Sequence, residues 1–256
     1  MTVARDRGAR DETTVAAVDA AGRRLAAVAG VLLAVEAVVL TALLQTAHTT
    51  VVLPVTAAFA GGGAHAAGEP VRVTLAQVDV GSAVVVLCAL VAVARLVAAG
   101  PAPSAAGSSG RPHTARWVEY SLTASITVFL VAQLNGVTDV GALVLSYAAT
   151  SGMVLFTLLE ERSAVGAGHP KLALCFGAAL GIVPWGIIAF QQIGAGVVGD
   201  PPSAIVRVIT LVMLAFAAAF AIIQWRGYGE RMHTLLSLAS TSVFAWLVVL
   251  AVVLPA

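Results

Sequence analysis

Seven uninterrupted apolar blocks, at approximately 25–46, 77–99, 117–138, 140–159, 172–193, 204–225 and 233–255, constrain this chain more than any other feature. A helix crossing the hydrocarbon core, about 30 Å thick, needs about 20 mostly apolar residues at about 1.5 Å of rise each. Each block is close to that length. Strands of a membrane barrel would alternate apolar and polar residues, and these blocks do not. Only 11% of the 256 residues are charged, against about 25% in soluble domains, and mean hydropathy is +0.96. The blocks predict an all-α, polytopic membrane protein whose first partner is the lipid bilayer. The same hydrophobicity excludes a wholly disordered chain. A net charge of +1 leaves no electrostatic footprint for nucleic acid.

The first 23 residues mix Arg5, Arg7, Arg10 and Arg23 with Asp6, Asp11, Glu12 and Asp19, which reads as a solvated, disordered tail. The block after it is too long for a signal-peptide core and lacks a cleavage site. It is expected to be a retained first helix, so that 24–256 form one seven-helix domain. Lys and Arg collect on cytoplasmic segments. With the N-terminus inside, twelve basic residues fall on inner segments and only Arg72 and Arg207 on outer ones. That distribution predicts a multi-pass plasma-membrane protein with its N-terminus in the cytoplasm and its C-terminus outside. The long outer connection, 47–76, holds two β-branched runs, 49–53 and 71–75, around Gly61-Gly62-Gly63. Those runs predict a short extracellular β-hairpin. The inner loop 100–115, rich in Pro, Gly, Ser and Ala, reads as a flexible linker.

An ionisable group at membrane depth is costly and therefore a site hypothesis. Glu36 lies mid-way along the first block, and Glu119 one turn into the third, after Arg116. The bland alternatives are a carboxyl bonded to a neighbouring helix for Glu36 and an i−3 pair with Arg116 for Glu119. Four glutamines (Gln133, Gln191, Gln192, Gln224) and the hydroxyls of Ser237, Ser240, Thr241 and Ser242 are weaker candidates, since such groups commonly bond their own helix backbone. Gly177 and Gly181 form a G-x-x-x-G that suits an intramolecular helix contact and a dimer face equally well. Pro184, in the same block, is expected to kink it. The five histidines sit in loops or at helix ends, and Cys88 and Cys175 lie in apolar blocks. No H-E-x-x-H, phosphate-binding loop or G-x-S-x-G occurs. Neither an enzyme nor a metal site is expected.

One stretch, Arg116-Trp117-Val118-Glu119-Tyr120-Ser121-Leu122 followed by Ala132-Gln133, resembles the third helix of the heliorhodopsins. Gly181-Ile182-Val183-Pro184-Trp185, Ser237-Leu238 with Ala245-Trp246, and Leu254-Pro255-Ala256 agree with it, so the resemblance covers about 140 residues from Arg116 onward. It is weaker over the first two helices. It implies seven helices, an inside N-terminus and a hairpin in the first outer loop. It also implies all-trans retinal held as a protonated Schiff base on a lysine of the seventh helix, with Glu119 at the counterion position. The position matching that lysine is Thr241. A hydroxyl forms no imine; only an amine does. The chain's one lysine, Lys171, lies in a loop beside Pro170, out of reach of a chain held between helices. Membrane-embedded histidines of the family also lack counterparts, Leu33 standing at or beside the first and Ala94 or Arg95 at the second. Glu36 falls where the family often carries a glutamine.

The resemblance thus implies a heliorhodopsin-like protein that binds no retinal covalently and is sensory, regulatory or a scaffold rather than an ion pump. A homodimer and a cytoplasmic signalling partner follow as expectations. One alternative is a non-covalent binder of retinal, a carotenoid or a lipid, in a remnant pocket bounded by Trp185, Phe220, Trp246 and Thr241, with Ser237 nearby. Another is a small transporter or channel that uses Glu36 and Glu119. Without a Schiff-base cation, Glu119 is expected to be protonated or paired with Arg116.

Overall fold

The computed structural model describes residues 2–59, 70–100, 111–163 and 171–255, with side chains described over 20–59, 70–100, 116–161 and 171–255. The Gly61-Gly62-Gly63 stretch, most of the inner linker and most of the expected tail's side chains lie outside these limits. Seven helices carry the apolar blocks. They are α1 (Thr2–Ala47), α2 (Val80–Ala99), α3 (Arg111–Leu134), α4 (Val140–Ser163), α5 (Leu172–Val198), α6 (Ala204–Arg226) and α7 (Glu230–Val248). A π-helical turn over Val249–Val253 prolongs α7. All seven are long and apolar enough to cross a membrane, α1 over Ala20–Ala47. Large apolar side chains such as Val38, Phe190 and Leu211 face outward, a surface that suits lipid rather than water.

Two strands, β1 (Val52–Phe59) and β2 (Val71–Asp79), pair antiparallel between α1 and α2. β1 begins and ends later than the expected run 49–53 and runs through Pro54, which lies opposite Gln77. Proline ends most strands, but in a two-stranded ribbon its missing N–H can face the free edge. A bulge between Val55 and Thr56 turns the Thr56 backbone toward the α3–α4 connection, where its N–H donates to the Thr138 carbonyl at 2.7 Å. The hairpin is thereby docked onto the bundle. Its second strand also explains why α2 starts at Val80, three residues after the expected 77. Asp79 closes the strand and caps the helix, accepting from the Ser82 N–H at 3.3 Å.

The third block stops at Leu134 because Gly136 takes a left-handed φ of +85°, a conformation glycine adopts without cost. Asp139 then caps α4, accepting from the Ala142 N–H at 3.0 Å. Fully buried Leu33 and Leu40 of α1, Leu87 and Val91 of α2, and Phe244 of α7 anchor the main core. Helices α1 and α2 pack closely, as do α3 with α4 and α4 with α5, whereas α5 and α6 touch little. Gly177 and Gly181 are buried on α5. A Cβ on Gly177 would lie 3.1 Å from both the Met153 carbonyl and Phe156 Cβ of α4. The G-x-x-x-G therefore makes an α4–α5 seam. Through Pro184 the helix continues to Val198.

Candidate functional site

Four helices bring charge together at one end of the bundle. The last turns of α2 contribute Arg95, which is 3% exposed, and its guanidinium lies 3.2 Å from Glu119 of α3, whose side chain is 9% exposed. The pair is at ion-pair distance without hydrogen-bond alignment, and neither atom has another hydrogen-bond partner. Arg116 does not take the i−3 partner expected from spacing. It reaches Glu161 of α4 at 3.4 Å and Glu230 of α7 at 3.3 Å, while Trp117 donates its indole N–H to Glu161. The reason is rotational: Glu119 faces α2, and Arg116 faces α4 and α7.

An aromatic wall lies beside these ion pairs. Trp117 and Tyr120, three residues apart on α3, share a helix face and stand edge to face with ring centroids 5.7 Å apart. His233 of α7 lies 5.8 Å from Trp117 and 6.3 Å from Tyr120, and Phe220 of α6 completes the group at 6.3 Å from Tyr120. The Arg95 guanidinium sits over the Tyr120 ring at 4.9 Å, within cation–π range. Tyr120 and His233 are each 6% exposed, yet the Tyr120 hydroxyl and His233 Nδ1 make no hydrogen bond of good geometry.

Behind this wall lies a cavity of about 300 Å³ between α3, α4, α5, α6 and α7. Small residues of both α5 and α6 line it, Gly177, Ala178 and Gly181 on one and Ala217 and Ala221 on the other, and these two helices touch little. Its size is at the lower end of ordinary ligand sites. Of the polar and aromatic residues singled out from sequence, Trp185, Phe220, Gln224, Ser237, Ser240 and Thr241 line it. His233, Ser237 and Thr241 recur at i, i+4 and i+8, so α7 presents them on one face. Trp246 packs against the main core instead, and Glu119 points to Arg95. Among the described residues, the lining contains no lysine. Lys171 sits at the outer edge of the bundle, where its ammonium donates to the Trp225 carbonyl and lies 4.7 Å over that indole.

Glu36 belongs to a different seam. Its two carboxyl oxygens share the Ser242 hydroxyl of α7, each at 2.9 Å. No described bond joins it to Glu119. At the opposite end from the ion pairs, Asn135 donates to Thr210 at 2.8 Å and accepts from Gln192 at 2.6 Å, linking α3, α5 and α6. Gln133 is buried with both amide atoms unpartnered.

Sequence reasoning counted Arg95 among the helix-end charges and passed over Tyr120 and His233 as site residues. Arg95 carried a readable signal, since an ionisable side chain flanked by Ala94 and Leu96 within an apolar block falls under the rule applied to Glu36. His233 carried a weaker one in its spacing to Ser237. Comparison with known proteins adds a family match: the family model described as Heliorhodopsin matches residues 23–253. No curated protein matches the chain.

Proposed function

The chain belongs to the heliorhodopsin family, and from that premise we propose a seven-helix membrane protein that binds an apolar ligand non-covalently in the family's cavity and serves a sensory or regulatory role. The single observation that carries this reading is the cavity itself. Side chains have not collapsed into it, and its wall presents Thr241, at the position matching the family's lysine, in place of an amine. These residues do not fit a covalently held retinal, because imine formation needs an amine and Lys171 is engaged with Trp225 at the bundle edge. They do fit an apolar chain of retinal, carotenoid or lipid type. Arg95 supports the same reading, since it supplies Glu119 with a positive partner that needs no Schiff base. Ion pumping lacks support: Glu36 and Glu119 sit in separate seams, and a relay needs connected groups. The distribution of positive charge favours a plasma-membrane protein with its N-terminus inside. Homodimerisation and a cytoplasmic signalling partner remain part of the proposal, but a dimer needs a face other than Gly177 and Gly181.

The test is a visible spectrum of the purified protein after incubation with all-trans retinal, beside a Thr241→Lys variant. The unmodified protein is expected to quench its tryptophan emission on binding without a band red-shifted from free retinal. The lysine variant is expected to gain such a band. A red-shifted band in the unmodified protein overturns the non-covalent reading, and absence of both quenching and colour in either protein overturns the cavity reading.

A further inference from the structure

The cavity wall is mainly apolar, the Thr123, Thr127 and Thr150 hydroxyls bonding carbonyls of their own helices, and one end carries two polar groups without a well-formed hydrogen bond. Tyr120 and His233 both line it, both are more than nine-tenths buried, His233 Nδ1 has no hydrogen-bond partner, and the Tyr120 hydroxyl, beside the Arg95 guanidinium, makes no hydrogen bond of good geometry. A buried, unpaired polar atom is unfavourable, and native interiors pair nearly all of theirs. Two such atoms on side chains whose ring centroids are 6.3 Å apart, at the end of a cavity, call for a polar atom supplied from within it.

We infer that the cavity takes a single-chain apolar molecule with a neutral hydroxyl head, bound at the Tyr120–His233 end. The inference rests on the cavity reading above and adds the class and direction of the ligand. A hydroxyl suits the site because it both donates and accepts. The phenol and the imidazole nitrogen each do either, according to rotor and tautomer, so an alcohol satisfies both whichever way the protons lie. Charge argues for neutrality. Arg95 already faces Glu119, and Arg116 already faces Glu161 and Glu230. A carboxylate head would enter beside Glu119, where both nearby guanidinium groups already face carboxylates. A cationic head would enter beside two arginines. Either would be a buried charge without a partner, which is costly. The remaining wall of small, aliphatic and aromatic side chains, such as Gly181, Val131, Met213 and Trp185, takes the hydrocarbon.

Tryptophans at 117, 185 and 225 line the cavity, so binding is read as quenching of intrinsic fluorescence. The probes are all-trans-retinol, its hydrocarbon analogue with a methyl in place of the CH2OH, and all-trans-retinoic acid. They are titrated into the full-length protein and into a Tyr120→Phe, His233→Phe double variant in the same micelles, so that partition cancels between proteins. The unmodified protein is expected to bind retinol about tenfold tighter than the hydrocarbon, the scale of satisfying buried polar groups, and to bind the acid more weakly than the alcohol. In the double variant the alcohol preference is expected to fall to within about twofold, on the same scale, with hydrocarbon binding retained as proof of the fold. If that variant does not fold, Tyr120→Phe alone is expected to reduce the preference. Equal binding of retinol and hydrocarbon by the unmodified protein, a preference that survives the substitutions, or tightest binding of the acid overturns the inference and leaves the cavity reading standing. Failure of all three probes to bind overturns both.

Discussion

Arg95 and Glu119 illustrate how much a single side chain decides in this bundle. Each is nearly inaccessible, so neither charge is solvated if the other is removed. Breaking a buried pair from one side typically costs about 3–5 kcal/mol, whereas removing both charges is often close to neutral. Arg95→Gln is therefore expected to lower the midpoint of thermal unfolding in detergent markedly, and Arg95→Gln with Glu119→Gln to recover most of the loss. Equal destabilisation by the single and double variants would show that the pair is not coupled. Glu36 is a milder case. Its carboxyl is half-buried and bonded to Ser242, so Ser242→Ala is expected to cost about 1–3 kcal/mol through an unsatisfied acceptor. Glu36→Gln, which can still accept, is expected to cost less. Liposome ion flux that falls in a Glu36→Gln, Glu119→Gln variant would revive the transporter reading.

At the level of elements, the seam between α4 and α5 depends on missing side chains. Gly177 lies against the Met153 backbone and Phe156, and the latter pair cannot both retreat. Gly177→Leu is expected to destabilise by about 1–3 kcal/mol or more, the usual cost of overpacking. Oligomeric state is expected to stay unchanged, and loss of a dimer in this variant without loss of stability would place the glycines on an intermolecular face instead. The hairpin follows a different logic. Its register is set locally by the two strands, but its docking depends on the Thr56–Thr138 hydrogen bonds. That contact joins residues 82 apart in sequence, and no local pattern announces it.

Across the whole molecule, the cavity is a by-product of which helices pack closely and which do not. Tight pairing of α1 with α2 and of α3, α4 and α5 in sequence leaves α5 and α6 loosely apposed, and small residues there leave the space unfilled. Substituting a large side chain, Ala217→Phe, is expected to abolish tryptophan quenching by retinal or retinol while helical circular dichroism is retained. Quenching that persists in this variant would locate the ligand elsewhere on the protein.

Seven spans, the hairpin and family membership were legible in the residues themselves, because apolar run length, β-branched runs and a motif such as Arg116-Trp117-Val118-Glu119 are properties of consecutive positions. Lipid imposes that legibility: each spanning segment must satisfy its backbone internally and present apolar side chains outward, whatever its neighbours do. Element ends were less visible where a cap or turn outweighed hydropathy, as at Asp79 and Gly136. Partner choice was not legible at all. Spacing offered Arg116 to Glu119, and the rotation of α3 against α2 gave it Arg95 instead. Trp246 and Trp185 looked equivalent in sequence, yet both pack on the core and only Trp185 also lines the cavity. Those outcomes depend on how helices distant in sequence rotate and pack against one another, and only the tertiary structure decides that.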